Sequence, residues 1–547
     1  MQKREKAGEL LSSRGNDRRQ NIVDSKQYAV RSKQKKNKLP TAYCLLPTVC
    51  FLAFATCLLL LTSCGSSSTN NNSTSASDNS VIVSGRVQFE DRTFDSTGFT
   101  GTQNKAVRFA DIEIINSSDS SVITSTSTDV NGNYSISLSP TFSNIYVRCL
   151  TSTSVGFSKG TKTYNIEVVN GSSSVYSVVS DIFSIASLGT YSKNLTASLN
   201  SGAGGPFNIL DALIDGAEFV AIKNGSFTSS KVKTIWYDGN TDGTYYSPAT
   251  NDLYFLGKST DNDCYDDIVI LHEFGHWVAN NFSKDESPGG EHTITGHYDI
   301  RLAWSEGWAT FFGSSVRSYA SYSNPQYYVD TTGGSGNGNL LFSYEIETPS
   351  YSSPATGSDN ELSVSSVLWN IFLSAGFNGI WDVFKSYLPS TAEVSLEDFW
   401  DGWFTKGYSS TLNPTAIFGA RSIEYISDSY ENDNNSSQAK GVTIGTSYHH
   451  TYYPSGDEDW ISFGATSGTT YAIETLNLTN GADTHLFLYS TDGTTLIKSN
   501  DDNESLTDQS SLITWTATTT GTYYVRSKAY DGSGAISTYG SYDIRVR

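Results

Sequence analysis

Cysteine, methionine and histidine are all scarce in this chain, and each scarcity narrows what it can be. Of six cysteines in 547 residues, four (Cys44, Cys50, Cys57 and Cys64) fall near the start. Only Cys149 and Cys264 remain in the body, which excludes a disulfide framework as its source of stability; whether these two pair is not readable from sequence. Basic residues are also few: 36 Lys and Arg face 56 Asp and Glu, for a formal charge of −20. That balance argues against nucleic acid or an anionic membrane surface as the body's partner. Met1 is the sole methionine, so any later start would need a non-standard codon. Of seven histidines, four (His272, His276, His292 and His297) are gathered in one stretch.

The basic residues that exist are concentrated at the beginning. Residues 1–40 hold twelve Lys and Arg against four Asp and Glu, and residues 41–63 carry no charge. Within that uncharged segment Tyr43 to Leu61 is mostly apolar, and it ends in Leu61-Thr62-Ser63-Cys64. A basic stretch, an apolar core and small residues before a cysteine are the parts of an export signal. Leu-Thr-Ser-Cys resembles a bacterial lipobox, which implies cleavage before Cys64 and a lipid on its sulfur. An uncleaved membrane helix is the competing reading, because the run is long enough to span. Residues 65–80 are polar and of low complexity, a tether with nothing to bury.

The most informative stretch is Leu271-His272-Glu273-Phe274-Gly275-His276-Trp277. Residues four apart share a helix face, so His272 and His276 can aim at one metal ion. Glu273 lies beside them, positioned to take a proton from a water which that metal polarises. Asp263, Asp266 and Asp267 precede the apolar run, as acids in a helix's first turn should. Metzincins are excluded, since Ala279 and Phe282 stand where that class needs Gly and His. Further on, Ala303 to Phe312 is an aromatic, helical run with a single carboxylate, Glu306. Burying a lone glutamate among tryptophans is costly unless something compensates it. A metal would do so; pairing with Arg301 or Arg317 is the alternative.

This arrangement resembles the gluzincin (thermolysin-like) metallopeptidases, in which a second helix supplies a glutamate as third zinc ligand. The resemblance implies that His272, His276 and Glu306 hold the metal and that Glu273 is the general base. It also exposes a departure. Thermolysin has an aspartate four residues after the glutamate to steady a ligand histidine, and Thr310 stands in that place. Thr310 or another acid must then orient the histidine. His292 and His297 are candidates to donate to an oxyanion or to substrate, although both also read as solvated loop residues. Glu361, at the start of a third apolar helix, reads most simply as an N-terminal helix acid.

Around this core the texture is β. Val81–Val87, Ala110–Ile115 and Val122–Thr128 read as strands, and Asn131-Gly132 before Tyr134 predicts a hairpin. This order resembles β-sandwich modules of the carboxypeptidase regulatory type. Residues 209–220 have helical spacing. Lys233–Tyr237 and Asp252–Leu256 read as strands, the second as the edge strand beside the metal helix. The tail, with Asp457-Glu458-Asp459-Trp460 and Gly521-Thr522-Tyr523-Tyr524, resembles the bacterial pre-peptidase C-terminal domain. Its clustered acids are candidate Ca2+ ligands, although turn chemistry also favours them.

The expected architecture is multidomain: an α+β zincin-like catalytic domain (170–427) between two β-sandwich domains (81–169 and 428–547), after a signal (1–64) and linker (65–80). The expected function is an extracytoplasmic zinc-dependent endopeptidase in a bacterial cell envelope, lipid-anchored (outer membrane) or secreted. Its partners would be protein or peptide substrates and, through the lipid on Cys64, the membrane. A surface-anchored binding protein with a non-catalytic zincin-like domain is the competing class, and hydrolysis of a non-peptide amide is another. An intact Glu273 argues against the binding protein, because holding a metal does not require it.

Overall fold

The computed structural model describes residues 81–139, 142–153, 164–227, 231–334, 336–349, 355–505, 508–530 and 539–547. The export signal, Cys64 and the linker lie outside the described residues. Among those described, no helix is long and apolar enough to cross a membrane.

Among the described residues, eleven strands follow one another before the first helix: β1 (Val81–Asp95), β2 (Gly98–Ala106), β3 (Asp111–Asn116), β4 (Val122–Ser127), β5 (Asn133–Leu138), β6 (Phe142–Leu150), β7 (Ile166–Val169), β8 (Ser177–Val179), β9 (Phe183–Ile185), β10 (Gly189–Ser192) and β11 (Leu195–Ala197). All but β7 form a sandwich. One sheet is built on β1, which pairs with β2, β5, β10 and β11; the other runs β4-β3-β6-β8, with β9 also on β6. The predicted Asn-Gly hairpin is not one. β4 pairs with β3 while β5 pairs with β1, so the turn carries the chain from one sheet to the other. Gly132 has φ +77° and its carbonyl accepts from Val87 N–H, which ties the turn to β1 rather than to β4.

The expected division near residue 170 is crossed by the strands. β7 leaves the sandwich and pairs in parallel with β12 (Val232–Ile235), while β8 to β11 return to it. Helix α1 (Gly204–Asn224) then packs against the sandwich through a buried ion network. Arg108 reaches Asp211 at 2.6 Å and Asp215 at 2.7 Å, and Lys105 lies 3.4 Å from Asp211. One continuous hydrophobic core runs from Val81 through α1 to the later helices. Pattern alone could not show this, because the strand that changes sheets has the same alternation as those that stay.

The second sheet has the order β13-β14-β12-β7, with β13 (Tyr245–Ser247) and β14 (Asp252–Tyr254). The edge strand is therefore β13, antiparallel to its neighbour, and not the 252–256 segment read as the edge from sequence. Stacking of Tyr245 on Tyr254, centroids 4.7 Å apart, folds β13 back along β14. Two short strands, β15 (Gly257–Lys258) and β16 (Asp261–Asn262), lead into α2 (Asp267–Phe282) and α3 (Ile300–Tyr319). A hairpin of β17 (Tyr327–Thr331) and β18 (Gly338–Glu345) extends the β1 sheet through β2. Helices α4 (Glu361–Ala375), α5 (Phe377–Ser386), α6 (Leu396–Thr405) and α7 (Thr415–Gly419) complete this part.

The C-terminal region is a second sandwich with its own core around Ile461, Ile473, Val525 and Ile544. Its strands are β19 (Lys440–Gly441), β20 (Ser447–Thr451), β21 (Glu458–Ala465), β22 (Thr470–Thr479), β23 (Thr484–Tyr489), β24 (Leu496–Asn500), β25 (Leu512–Thr516), β26 (Gly521–Ala529) and β27 (Ser541–Val546). One sheet runs β19-β21-β26-β23-β24 and the other β20-β27-β22-β25. Tyr539 joins it to the helices, donating to Asp398 at 3.0 Å.

Candidate metal centre

Helix α2 begins at Asp267, whose carboxylate accepts from Asn208 of α1 at 2.8 Å. Asp266 caps no amide of the helix by its side chain; it accepts instead from Thr331 N–H (3.0 Å) and Oγ1 (2.9 Å), tying β17 to the start of the helix. Helix α3 starts at an Asp299 cap that accepts from Arg301 N–H at 2.9 Å. The two helices approach closely because Gly275 faces Ala309: a Cβ there would lie 2.8 Å from Ala309 Cα. Trp308 donates to Gly275 O at 3.3 Å and stacks on Phe384 at 3.7 Å, so α3 is held in rotation as well as distance.

That fit sets Glu306 opposite the two histidines of α2. His272 Nε2 is 3.1 Å from Glu306 Oε2, His276 Nε2 is 3.4 Å from the same oxygen, and the two Nε2 atoms are 3.2 Å apart. Zinc bonds to N and O at tetrahedral angles put donor atoms about 3.3–3.5 Å from one another. The three donors therefore have the spacing of one face of a zinc tetrahedron. The arginine pairing considered for Glu306 is not made: Arg301 binds Asp299 at 2.6 Å, and Arg317 donates to Tyr327 O at 2.6 Å.

Each histidine has a partner at its other nitrogen. His272 Nδ1 lies 3.0 Å from Thr310 Oγ1, in the position where thermolysin-like proteins carry aspartate. His276 Nδ1 lies 3.1 Å from Ser305 Oγ, which itself donates to Asp285 Oδ2 at 2.9 Å. Such contacts fix the tautomer that leaves Nε2 free to bind a metal. Sequence reading found Thr310 but missed Ser305 and Asp285. Asp285 comes from the loop after α2, and no spacing rule connects it to His276.

Glu273 is buried beside the cluster, facing the backbone of Tyr246 in β13. Burial raises its pKa above the usual carboxylate range; the neighbouring histidines oppose the rise and Glu306 adds to it. Burial also pulls His276 down, but Glu306 and Asp285 more than reverse this, and its pKa ends well above ordinary. Glu306 is the mirror image: burial raises it, the histidines overcome that, and it ends well below ordinary. The pocket thus favours a cation at the point where the three donors meet.

The other expected residues divide. His292 is brought in, with Nε2 3.6 Å from Glu306 Oε1 and Nδ1 2.7 Å from Glu361 Oε2. Its hydrogen bond to Glu361 raises its pKa against the opposing effect of burial. Glu361 is therefore more than a helix-start acid. His297 is not brought in; half exposed, it is held by Asp359 at 2.9 Å. Tyr328 of β17 stands edge-on to His272, centroids 6.0 Å apart and planes at 89°, a neighbour with no sequence signal.

Comparison with known proteins adds two domain matches. Residues 221–418, which enclose α2, α3 and α4, match the family model described as the mycolysin C-terminal domain. Residues 457–527 match the bacterial pre-peptidase C-terminal domain. No curated protein matches. Among solved structures, the pre-peptidase C-terminal domain of a collagenase from Bacillus anthracis is 18% identical, covering 20% of this chain and 94% of its own, with a TM-score of 0.17. Aeromonas hydrophila PliG, a periplasmic inhibitor of g-type lysozyme, is 12% identical over 20% of this chain and 96% of its own, TM-score 0.15. A 9R-lipoxygenase from Cyanothece is 13% identical over 29% of this chain and 26% of its own, TM-score 0.14. The two domain matches point to a secreted, peptidase-related protein of several domains, with a β-domain in its C-terminal region.

Proposed function

We propose that the chain is an extracytoplasmic zinc-dependent endopeptidase of gluzincin type. The observation that carries this is the convergence of His272 Nε2, His276 Nε2 and Glu306 Oε2 at 3.1 to 3.4 Å, with Glu273 alongside. Those three residues would hold the zinc, which when bound supplies Lewis acidity to activate water and polarise a peptide carbonyl. The chain's own residues do the rest. Glu273 takes the proton of the attacking water and passes it to the departing amine. His292, oriented by Glu361, donates to the carbonyl oxygen as charge develops there. The free edge of β13 can pair with an extended substrate backbone.

Three further parts of the reading are proposals of the same kind. The export signal places the protein in a bacterial envelope, with a lipid on Cys64 as its membrane anchor. Two sandwiches flank the catalytic region, the first reaching past residue 170 through β8 to β11 and the second at 428–547. Ca2+ occupies the tail near Asp433, which is fully buried with both carboxylate oxygens unpartnered among the described residues. Glu431, which has an unpartnered oxygen, and Asp459 bring carboxylate oxygens within 4.8 Å of Asp433's, and burial lifts Asp433 to about 7. A hard cation with oxygen ligands would relieve these costs.

The deciding experiment separates ligand from base. Glu306→Ala is expected to lose zinc, whereas Glu273→Gln should keep it and lose at least about a hundredfold in peptide turnover. Metal analysis with a casein or peptide assay reads both. Full zinc in Glu306→Ala would end the gluzincin assignment, and wild-type protein that binds zinc without cleaving peptides would favour the binding-protein alternative.

A further inference from the structure

The loop between α2 and α3 carries His292, yet among the described residues it forms no helix or strand between Phe282 and Ile300. Apart from a turn in which Gly296 N–H donates to Thr293 O at 2.9 Å, its path depends on contacts with its surroundings. Around His292 those contacts come from three consecutive residues at the start of α4. Asp359 O accepts from Tyr298 N–H at 2.8 Å, and its carboxylate holds His297 Nδ1 at 2.9 Å. Glu361 Oε2 meets His292 Nδ1 at 2.7 Å. Between them in sequence, Asn360 donates through Nδ2 to two carbonyls of the loop, Ile294 O at 3.0 Å and Gly296 O at 2.9 Å.

Asn360 is 1% exposed, and its other end is occupied too: Oδ1 accepts from Ser363 N–H at 2.8 Å, which caps α4. Two acceptors on one side and a donor on the other leave the amide one orientation. Buried away from water, these bonds have no ready substitute. Helix α4 is itself fixed against the metal helices. Gly307, next to Glu306 on α3, faces the first turn of α4 so closely that a Cβ there would lie 2.6 Å from Val364 Cβ and 2.8 Å from Glu361 O. One side chain therefore ties the loop to a helix seated on α3. The atom whose place this sets is His292 Nε2, 3.6 Å from Glu306 Oε1.

We propose that Asn360 is a positioning residue: by holding the carbonyls of Ile294 and Gly296 it fixes His292 Nε2 relative to the metal cluster, and so how well that nitrogen meets a developing oxyanion. The inference rests on the peptidase reading above, in which His292 makes that donation. Glu361 by itself leaves the placement open, because one contact at Nδ1 orients the ring without anchoring the backbone that carries it. Oxyanion donors act at about 2.7–3.1 Å from the charged oxygen, and a misplacement of about 1 Å is enough to cost most of the effect. Capping α4 is the rival reason for a buried asparagine here. It accounts for Oδ1 but gives no reason for the Nδ2 bonds, made to residues 66 and 64 positions away.

Asn360→Ser and Asn360→Asp separate the two roles, since both keep a capping oxygen for α4 but lose the donors to the loop. Aspartate also sets a carboxylate oxygen against the two carbonyls. In zinc-loaded protein assayed with a quenched-fluorescence peptide, kcat should fall about tenfold or more while KM stays within about twofold. Zinc content should match wild type. Amide hydrogen exchange should quicken at residues 292–298 and be unchanged across α2 and α3. In a His292→Ala background, Asn360→Ser should cost less than about twofold more, because the group it positions is gone. An equal loss in both backgrounds, a loss carried wholly by KM, unchanged exchange in the loop, or wild-type kcat in both Asn360 variants overturns the positioning role. Wild-type kcat in His292→Ala overturns the oxyanion role of His292 instead, and the positioning role with it. Zinc-loaded wild type with no turnover of any peptide overturns the peptidase reading and both roles.

Discussion

Thr310→Val removes one hydroxyl from behind the metal cluster while keeping the side chain's volume. Thr310 is 5% exposed, so water cannot easily replace the lost partner of His272 Nδ1. With a metal on Nε2 the proton must sit on Nδ1, and leaving that N–H unpaired in a buried site costs about 1–3 kcal/mol. Without metal, His272 can shift its tautomer and bond Glu306 through Nε2, 3.1 Å away, so the penalty falls mainly on the loaded state. Zinc affinity should weaken about 10- to 100-fold, with little change in the apo protein's stability. Competition against a chelator of known affinity measures this directly. Ser305→Ala is the internal comparison: Asp285 Oδ2 already lies 3.8 Å from His276 Nδ1 and can close in, so the loss should be smaller. Zinc affinity in Thr310→Val within twofold of wild type would refute the claim that the hydroxyl orients His272.

Other consequences follow from the packing and the buried charges. Gly275→Ala places a methyl 2.8 Å from Ala309 Cα and should destabilise the helix pair by about 1–3 kcal/mol, read as a lower unfolding midpoint. Burial raises Glu397 from its ordinary value to about 7, and its Oε2 has no partner among the described residues. A raised acid contributes stability that is fully present below about pH 4.5 and is lost as pH rises through about 7. Glu397→Gln should therefore flatten the decline in denaturant stability between pH 5 and pH 8, by up to about 3 kcal/mol; an unchanged slope would exclude this residue as its source. Ca2+ at a hundredfold excess over its Kd should stabilise the tail by about 2.7 kcal/mol at constant zinc. Asp433→Asn should remove most of that gain, and equal stabilisation of variant and wild type would move the cation elsewhere.

Some of this molecule was written in local spacing. The four-residue interval from His272 to His276 determined a shared helix face, because the α-helix period is a property of the backbone alone. The lone carboxylate at Glu306, and Thr310 one turn on, were legible for the same reason: an aromatic run that must be buried makes its polar exceptions conspicuous. The helices at 204–224 and 361–375 and the strands of both sandwiches follow periodicities that burial enforces. Tertiary structure decided what lies across the gaps. Asp285 and Ser305 behind His276, and Glu361 behind His292 although 69 residues away, depend on how α2, α3 and α4 are rotated against one another. Gly275 and Trp308 determine that rotation through contacts no period encodes. Likewise, an Asn-Gly turn states only that the chain reverses; that β5 joins β1 rather than β4 is a matter of tertiary pairing, marked by the bond from Val87 N–H to Gly132 O. Alternation tells a strand which face to bury but not beside whom, and so the edge at β13, the departure of β7 and the approach of Tyr328 to His272 emerged only in three dimensions.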